Sequence, residues 1–411
     1  MRSDGHLEQR VLMLVTLGLV AFGLVMVYSA TSAAAALGNG NPMAYLQRQA
    51  VYALIGVVLM AAASRFDYHR LRYLAPPLLL VALGMCAAVL VVAPEINGAR
   101  RWFLLGPASF QPSEFAKLAL CLFAAVYLAR RRAPRTFGEL FKPLGLLTLV
   151  FCVLIVLEPD LGTTITLCGM MLAILLVAGV PIRLLAATSL LAGGAAVVAI
   201  WAEPYRRARF FSFLDPWEDA QGSGFQIVQA MIGIGSGGVT GSGLGEGVQK
   251  VLYLPEAHTD MIFAVVGEEL GLVGSVLVIG AFAAFAVAGF RIAFRCRDPF
   301  GKLLAAGLTA LVTGQATVNL AAVLGIAPLT GIPLPFVSYG GSSLVVLLAG
   351  VGVLLNIAVN GDVVQARVPD RSGRNSGARP TRARGRRSPA RAGRNGDVRR
   401  VARPRRVASG S

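Results

Sequence analysis

The chain has 411 residues, 55% of them hydrophobic and only 14% charged, with a formal net charge of +17 at pH 7. This balance excludes an ordinary soluble enzyme and fits a polytopic membrane protein, because too few polar side chains are available to cover a water-facing surface. The excess charge lies mainly in connecting segments and the C-terminal stretch, so it says little about where chemistry would occur.

Apolar runs in chain order predict about ten spans, at 11–28, 49–63, 73–92, 114–130, 143–157, 162–180, 184–201, 261–290, 302–324 and 343–358. The expected fold is therefore an all-α polytopic membrane protein. With the N-terminus in the cytoplasm, 15 basic residues fall in inner connections and 7 in outer ones. That bias predicts an N-in/C-in topology with an even number of spans. It leaves residues 1–10 as a cytoplasmic N-terminus, 11–360 as the transmembrane domain, and 201–260 as a large extracytoplasmic loop between helices 7 and 8. The first apolar run reads as a transmembrane helix and not as a cleaved signal. Residues 361–411, with 15 Arg and little apolar content, are expected to be a disordered cytoplasmic tail that contacts anionic lipid in preference to nucleic acid. Cys86, Cys121, Cys152, Cys168 and Cys296 all fall within spans or at their inner ends, which suggests no disulfide or metal framework.

Three outer segments carry the polar chemistry. Between spans three and four, Arg100 and Arg101 offer forked donors suited to phosphate, and Trp102 suits the headgroup level; an ordinary aromatic belt with flanking charges would look the same. Glu114 and Lys117, three residues apart at the entry of span four, share a helix face. They either pair with each other or line a polar cavity. Glu158, Pro159 and Asp160 form a tight turn whose Asp160 or Thr163 can cap the following helix.

The stretch 225–234 reads as a short amphipathic or re-entrant helix, followed by glycines recurring between 233 and 247 that allow backbone N–H groups to approach an anion. Neither a strand–turn–helix context nor a lysine directly after the glycines is present, so a pyrophosphate-bearing lipid fits this segment better than a nucleotide. From Pro328 to Ser343, repeated Pro and Gly forbid a regular span and predict an irregular wall, containing Ser338, at membrane depth.

Asp260, in the run Leu254-Pro255-Glu256-Ala257-His258-Thr259-Asp260, stands where the large loop re-enters hydrocarbon, and an acid there is costly unless it has a task. A helix N-terminus would hold it ionised, as suits a general base. An alcohol attacking an anomeric carbon must lose a proton, whereas a lipid pyrophosphate departs without an acid, so one carboxylate suffices. Simple helix capping is the competing role. Glu256 and His258 are its polar neighbours, and Glu268 and Glu269 read as acids paired inside the bundle.

The run Gly233-Ile234-Gly235-Ser236-Gly237-Gly238, the pair Gln249-Lys250, the block from Leu254 to Gly271 and the stretch Pro333-Leu334-Pro335-Phe336-Val337-Ser338-Tyr339-Gly340-Gly341-Ser342-Ser343 resemble the SEDS family of shape, elongation, division and sporulation proteins. The resemblance extends over about 10–360. The turn Phe213-Leu214-Asp215-Pro216-Trp217 and the Gly-Phe-Gln run at 224–226 look more like its division branch, FtsW, than its elongation branch, RodA; Met261 departs from the Phe more usual beside the acid.

The resemblance implies a peptidoglycan glycosyltransferase of the cytoplasmic membrane. It would polymerise lipid II on the outer face, at the septum, with undecaprenyl-linked glycan as the growing strand. A class B penicillin-binding protein and other divisome membrane proteins would be its partners. Asp260 would be the catalytic base, and Arg100, Arg101, Trp102, Glu114, Lys117, Lys250, Glu256, His258 and Ser338 the substrate-binding residues. No metal site is expected; a divalent cation, magnesium or manganese, would enter only with the substrate pyrophosphate. A precursor flippase, a non-catalytic divisome scaffold and an elongation enzyme are the alternatives.

Overall fold

The computed structural model describes residues 4–36, 42–96, 98–106, 108–251 and 254–361. The predicted tail at 362–411 lies outside the described residues. Ten apolar helical segments follow in chain order among the described residues, consistent with about ten spans. They are α1 (Asp4–Ala36), α2 (Pro42–Arg65), α3 (Leu71–Val92), α4 (Pro112–Ala129), the succession α5 (Phe137–Leu140), a kink at Lys142 and α6 (Leu146–Leu157), then α7 (Leu161–Val177), α8 (Ile182–Ala202), α11 (Ile262–Arg295), α12 (Pro299–Val323) and α13 (Gly341–Asn360). Nine are long and apolar enough to cross a membrane by that measure alone, and α7 is a shorter apolar helix. Two helices stand within the large loop, α9 (Pro204–Leu214) and α10 (Phe225–Ser236). The second of these is the short helix anticipated at 225–234.

Within this all-α architecture one short non-helical element stands out. Residues 103–110 form a small antiparallel hairpin, β1 (Phe103–Leu105) and β2 (Ala108–Phe110), with Phe103 opposite Phe110. Gly106, at φ +63°, takes the left-handed turn between them.

The packing is that of a membrane protein. Leu54, Val58, Leu80, Leu190, Val198 and Leu277 point outward, while Gln49, Lys117, Glu269, Gln315, Asn319 and Asn356 are buried. Apolar exteriors and satisfied polar interiors are what a hydrocarbon solvent selects. The central contacts join α2 to α13, α11 to α12 and α1, α3 to α4, and α12 to α7 and α4. The described chain ends lie at one end of the bundle: Arg295 pairs with Glu8 at 2.6 Å, and Cys296 lies against Gly361.

α11 is broken at Gly271, whose φ of +63° and ψ of −156° interrupt the helix and leave Ile262–Leu270 as a buried half-helix. The carbonyls freed by the break are satisfied by the Gly-rich loop. Ser242 N donates to Glu268 O at 2.9 Å and Gly243 N to Glu269 O at 3.0 Å; in return Leu272 N donates to Gly238 O at 2.9 Å. Two backbones can lie this close only without side chains: a Cβ on Gly241 would stand 2.1 Å from Glu269 O and one on Gly237 2.0 Å from Gly267 O.

Within the glycine run, the Ser242 and Gly243 N–H groups are thus taken up by the main-chain carbonyls of Glu268 and Glu269. Just after the run, the Val248 and Gln249 N–H groups donate to the Glu268 carboxylate at 2.7 and 3.1 Å, an anion of the chain itself. Gly241, at φ +84°, makes the point testable. Gly241→Ala should destabilise the protein by about 2 kcal/mol or more, from the left-handed backbone and the clash together, and thermal unfolding in detergent measures it. An unchanged midpoint would show that the loop is not stitched to α11.

Candidate active site

One face of α2 organises the region around Asp260. Tyr45, Arg48, Gln49 and Tyr52 form an i, i+3, i+4, i+7 stripe in an otherwise apolar span. Gln49 Nε2 donates to Ser338 O at 3.1 Å, the Arg48 charge acts on the Tyr339 side chain, and the Tyr52 hydroxyl accepts from Ser109 N of β2 at 3.3 Å. The rings of Tyr45, His258 and Tyr339 meet with centroids 5.1 to 5.5 Å apart, and Tyr339 N donates to His258 O at 2.9 Å. Thus the irregular 328–340 segment and the 254–260 turn share one support.

Asp260 stands one residue outside α11. Met261 holds the N-cap position, with no side-chain capping bond, so the Asp260 carboxylate is not used to cap the helix. Its main chain is fixed instead: Asn319 Nδ2 donates to Asp260 O at 2.7 Å and to Ile332 O at 2.8 Å, tying α12, the turn and the irregular wall together. Gly331, at φ +70°, lies beside the carboxylate, its Cβ position 4.0 Å from Asp260 Oδ2. The Thr259 hydroxyl lies 3.1 Å from Glu256 Oε2 and 3.3 Å from Asp260 Oδ1, and can donate to one at a time.

Burial pushes the Asp260 pKa up to about 6; Arg209 of α9 pulls it down, and Glu256 adds to the rise. Desolvation thus opposes the helix-terminus effect expected from the sequence and raises the pKa above the ordinary carboxylate value. Burial likewise lowers the His258 pKa, against the opposing pull of Glu256, and favours the neutral ring.

Of the residues singled out from sequence, Asp260, Glu256, His258 and Ser338 are brought together here. Ser338 Oγ accepts from Leu334 N at 2.8 Å and holds the wall's turn. The others lie in three separate groups. Lys117, fully buried, donates to Glu114 Oε1 and Gln315 Oε1, both at 2.8 Å, and Gln315 Nε2 donates to Pro333 O at 3.0 Å. The pair therefore buttresses the irregular wall from beneath.

Lys250 is equally closed. Its ammonium donates to Glu269 Oε1 at 2.6 Å, Gly245 O at 2.7 Å and Ser29 Oγ at 3.1 Å, which uses all three protons. Arg100 reaches Leu90 O at 3.4 Å and Glu95 Oε2 at 3.9 Å, and Trp102 lies beside Arg101.

Arg101 clasps the α6–α7 turn through Glu158 O at 2.8 Å and Pro159 O. It holds main-chain carbonyls while both Glu158 carboxyl oxygens are buried without partners. Burial and neighbouring Asp160 push the Glu158 pKa up to about 8, against the opposing pull of Arg101, and so favour the protonated form. Asp160 caps α7 as anticipated, accepting from Thr163 N at 2.9 Å.

Sequence reasoning passed over Arg209, Gln49, Gln315, Asn319 and Tyr339. A usable signal was present for three of them: neutral amides inside apolar spans are costly unless they tie segments together.

Comparison with known proteins agrees with this architecture. The cell cycle protein family profile, which covers FtsW, RodA and SpoVE, matches residues 9–362. A Geobacter sulfurreducens protein named Probable peptidoglycan glycosyltransferase FtsW is 41% identical over 351 residues, covering 85% of this chain and 94% of its own. Stage V sporulation protein E of Bacillus subtilis is 39% identical over 351 residues, covering 84% and 96%.

Among solved structures, a chain from work on polymerization and crosslinking by a peptidoglycan synthase complex superposes with a TM-score of 0.71 at 36% identity, covering 85% of this chain and 97% of that one. The rod shape determining protein RodA of Thermus thermophilus gives a TM-score of 0.62 at 32% identity, covering 85% and 96%.

Proposed function

The chain belongs to the family of cell-cycle proteins that includes FtsW, RodA and SpoVE, and on that premise we propose that Asp260 is the base with which it builds glycan strands. The protein is a multi-pass peptidoglycan glycosyltransferase of the cytoplasmic membrane that acts in septal wall synthesis. Lipid II is its proposed substrate, met on the outer face. The excess of basic residues at the opposite connections supports that orientation.

The observation that carries the reading is a partly buried carboxylate that caps nothing, rigidly held by its main chain, with an arginine in electrostatic reach. In the proposed step the acceptor hydroxyl oxygen attacks the anomeric carbon of the lipid-linked sugar. The bond from that carbon to the pyrophosphate oxygen breaks and its electron pair leaves with the pyrophosphate. The hydroxyl proton passes to Asp260. A base with a pKa just under neutral is mostly ionised at pH 7 and yet basic enough to accept the proton. Arg209 would stabilise charge growing on the leaving group.

Glu256, His258 and the Ser338 turn are proposed to contact the sugar or peptide. Arg100, Arg101 and Trp102 are proposed to meet the lipid at headgroup level. Glu114, Lys117 and Lys250 are proposed as positioning residues, acting through the wall and the Gly-rich loop. A magnesium or manganese ion, where used, is proposed to travel with the pyrophosphate. The described residues present no group of three His, Cys, Asp or Glu side chains to hold one. A class B penicillin-binding protein is the proposed transpeptidase partner; the superposed synthase complex couples polymerization to crosslinking.

The pH profile of kcat/KM tests the base directly. Because the essential form is the ionised one, activity should fall as pH drops through about 6. Arg209→Gln removes a charge that lowers the Asp260 pKa, so its acid limb should move to higher pH. A flat profile between about pH 5 and about 7, or a downward shift in the variant, would contradict the assignment.

A further inference from the structure

At the bundle end opposite Asp260, the start of α3, the end of α4 and the start of α12 enclose a cleft of about 80 Å³ lined by Arg72, Val126, Ala129, Arg130, Asp298 and Phe300. Three span ends converge there, so the cleft sits where spans leave hydrocarbon, at headgroup height. One wall is apolar. The polar wall is incompletely satisfied: Arg72 Nη2 donates to both Asp298 oxygens, at 2.7 and 2.6 Å, but its Nε is buried without an acceptor. The Arg72 guanidinium is fixed 4.8 Å above the Phe300 ring, and Arg130 at the rim is exposed, with no ion pair or hydrogen bond from its guanidinium among the described residues.

We propose that this cleft binds the phosphodiester of an anionic phospholipid, with the phosphate between Arg130 and Arg72 Nε and the acyl chains along the adjacent apolar helices. The charges select the ligand. Two arginines and one aspartate leave the lining residues at net +1, which a monoanionic phosphodiester neutralises. A dianionic phosphomonoester would be left over-charged beside Asp298. Guanidinium groups suit phosphate oxygens through their forked donors, and basic clefts between spans are a recurrent form of lipid-headgroup site. The proposal is independent of the reading of Asp260 and would stand if that reading failed.

The test uses the full chain in neutral detergent and follows its thermal unfolding midpoint during titration with short-chain phosphatidylglycerol, matched phosphatidylcholine, or glycerol phosphate. Phosphatidylglycerol should raise the midpoint. Arg130→Gln should need about fivefold more of it for half the effect, while Arg130→Lys should stay near wild type. Ala129→Phe, which fills the cleft and keeps both arginines, should lose the response. An equal response in Arg130→Gln, or an equal response to phosphatidylcholine, would overturn the proposal. An equal response to glycerol phosphate would overturn the lipid assignment in favour of a soluble phosphate ester.

Discussion

Replacing Glu269 by alanine is expected to destabilise the protein by about 3–5 kcal/mol, the range for breaking a buried ion pair from one side. Glu269 and Lys250 are almost completely buried and meet at 2.6 Å, with Ser29 Oγ donating to the same carboxylate at 2.7 and 2.8 Å. Three distant segments, α1, the Gly-rich loop and the half-helix of α11, therefore converge on one carboxylate. Removing it strands an ammonium where water cannot reach.

The desolvation cost of the intact pair is large, so removing both charges together should be far milder. Glu269→Leu combined with Lys250→Met should recover much of the loss, because neither partner is then left buried and unpaired. Thermal unfolding of the two single variants and the double variant separates these cases. Additive losses would mean that the two side chains act independently, against the geometry.

Asp260→Asn is expected to lower turnover by about 10²–10⁴-fold while leaving the fold intact, the range for a positioned general base. The side chain keeps its shape, and the fixing hydrogen bond from Asn319 goes to the main-chain oxygen, which the substitution does not alter. Desolvation disfavours the ionised acid, so the neutral amide has no folding penalty to meet at this position. The loss should therefore appear in kcat with unfolding unchanged. A substitution that instead unfolded the protein would assign Asp260 a structural role.

The spans were legible because hydrocarbon demands about 20 apolar residues, and such runs stand out in a chain with so few charges. Their ends were less so. α2 begins at Pro42, ahead of the predicted 49, because the polar stripe Tyr45, Arg48 and Gln49 interrupts the apolar run without interrupting the helix. The β1–β2 hairpin has strands of three residues each, too short to show an alternation. The break at Gly271 was hidden because a lone glycine in a membrane helix normally serves packing; only its pairing with the 238–243 segment reveals the kink.

Asp260 could be read from the cost of an acid at that depth, and the pairing of Glu114 with Lys117 from their spacing. Lys250 could not be placed in the same way. Its partners Glu269 and Ser29 are 19 and 221 residues away, and no local pattern encodes such a meeting. The glycines of 233–247 were legible as a close-approach segment, but that they approach the main chain of α11, and that Val248 just beyond them binds the Glu268 carboxylate, belongs to the tertiary fold.

The central claim is that Asp260 performs the proton transfer of glycan polymerisation. The most direct measurement gives purified full-length protein, with its transpeptidase partner and in lipid of fixed composition, a labelled lipid II substrate and separates the products by length. Wild-type protein should form glycan polymer, and equally folded Asp260→Asn should form essentially none. Polymer at the wild-type rate from Asp260→Asn would contradict the account, as would a well-folded wild type that moves lipid II across the bilayer without joining it.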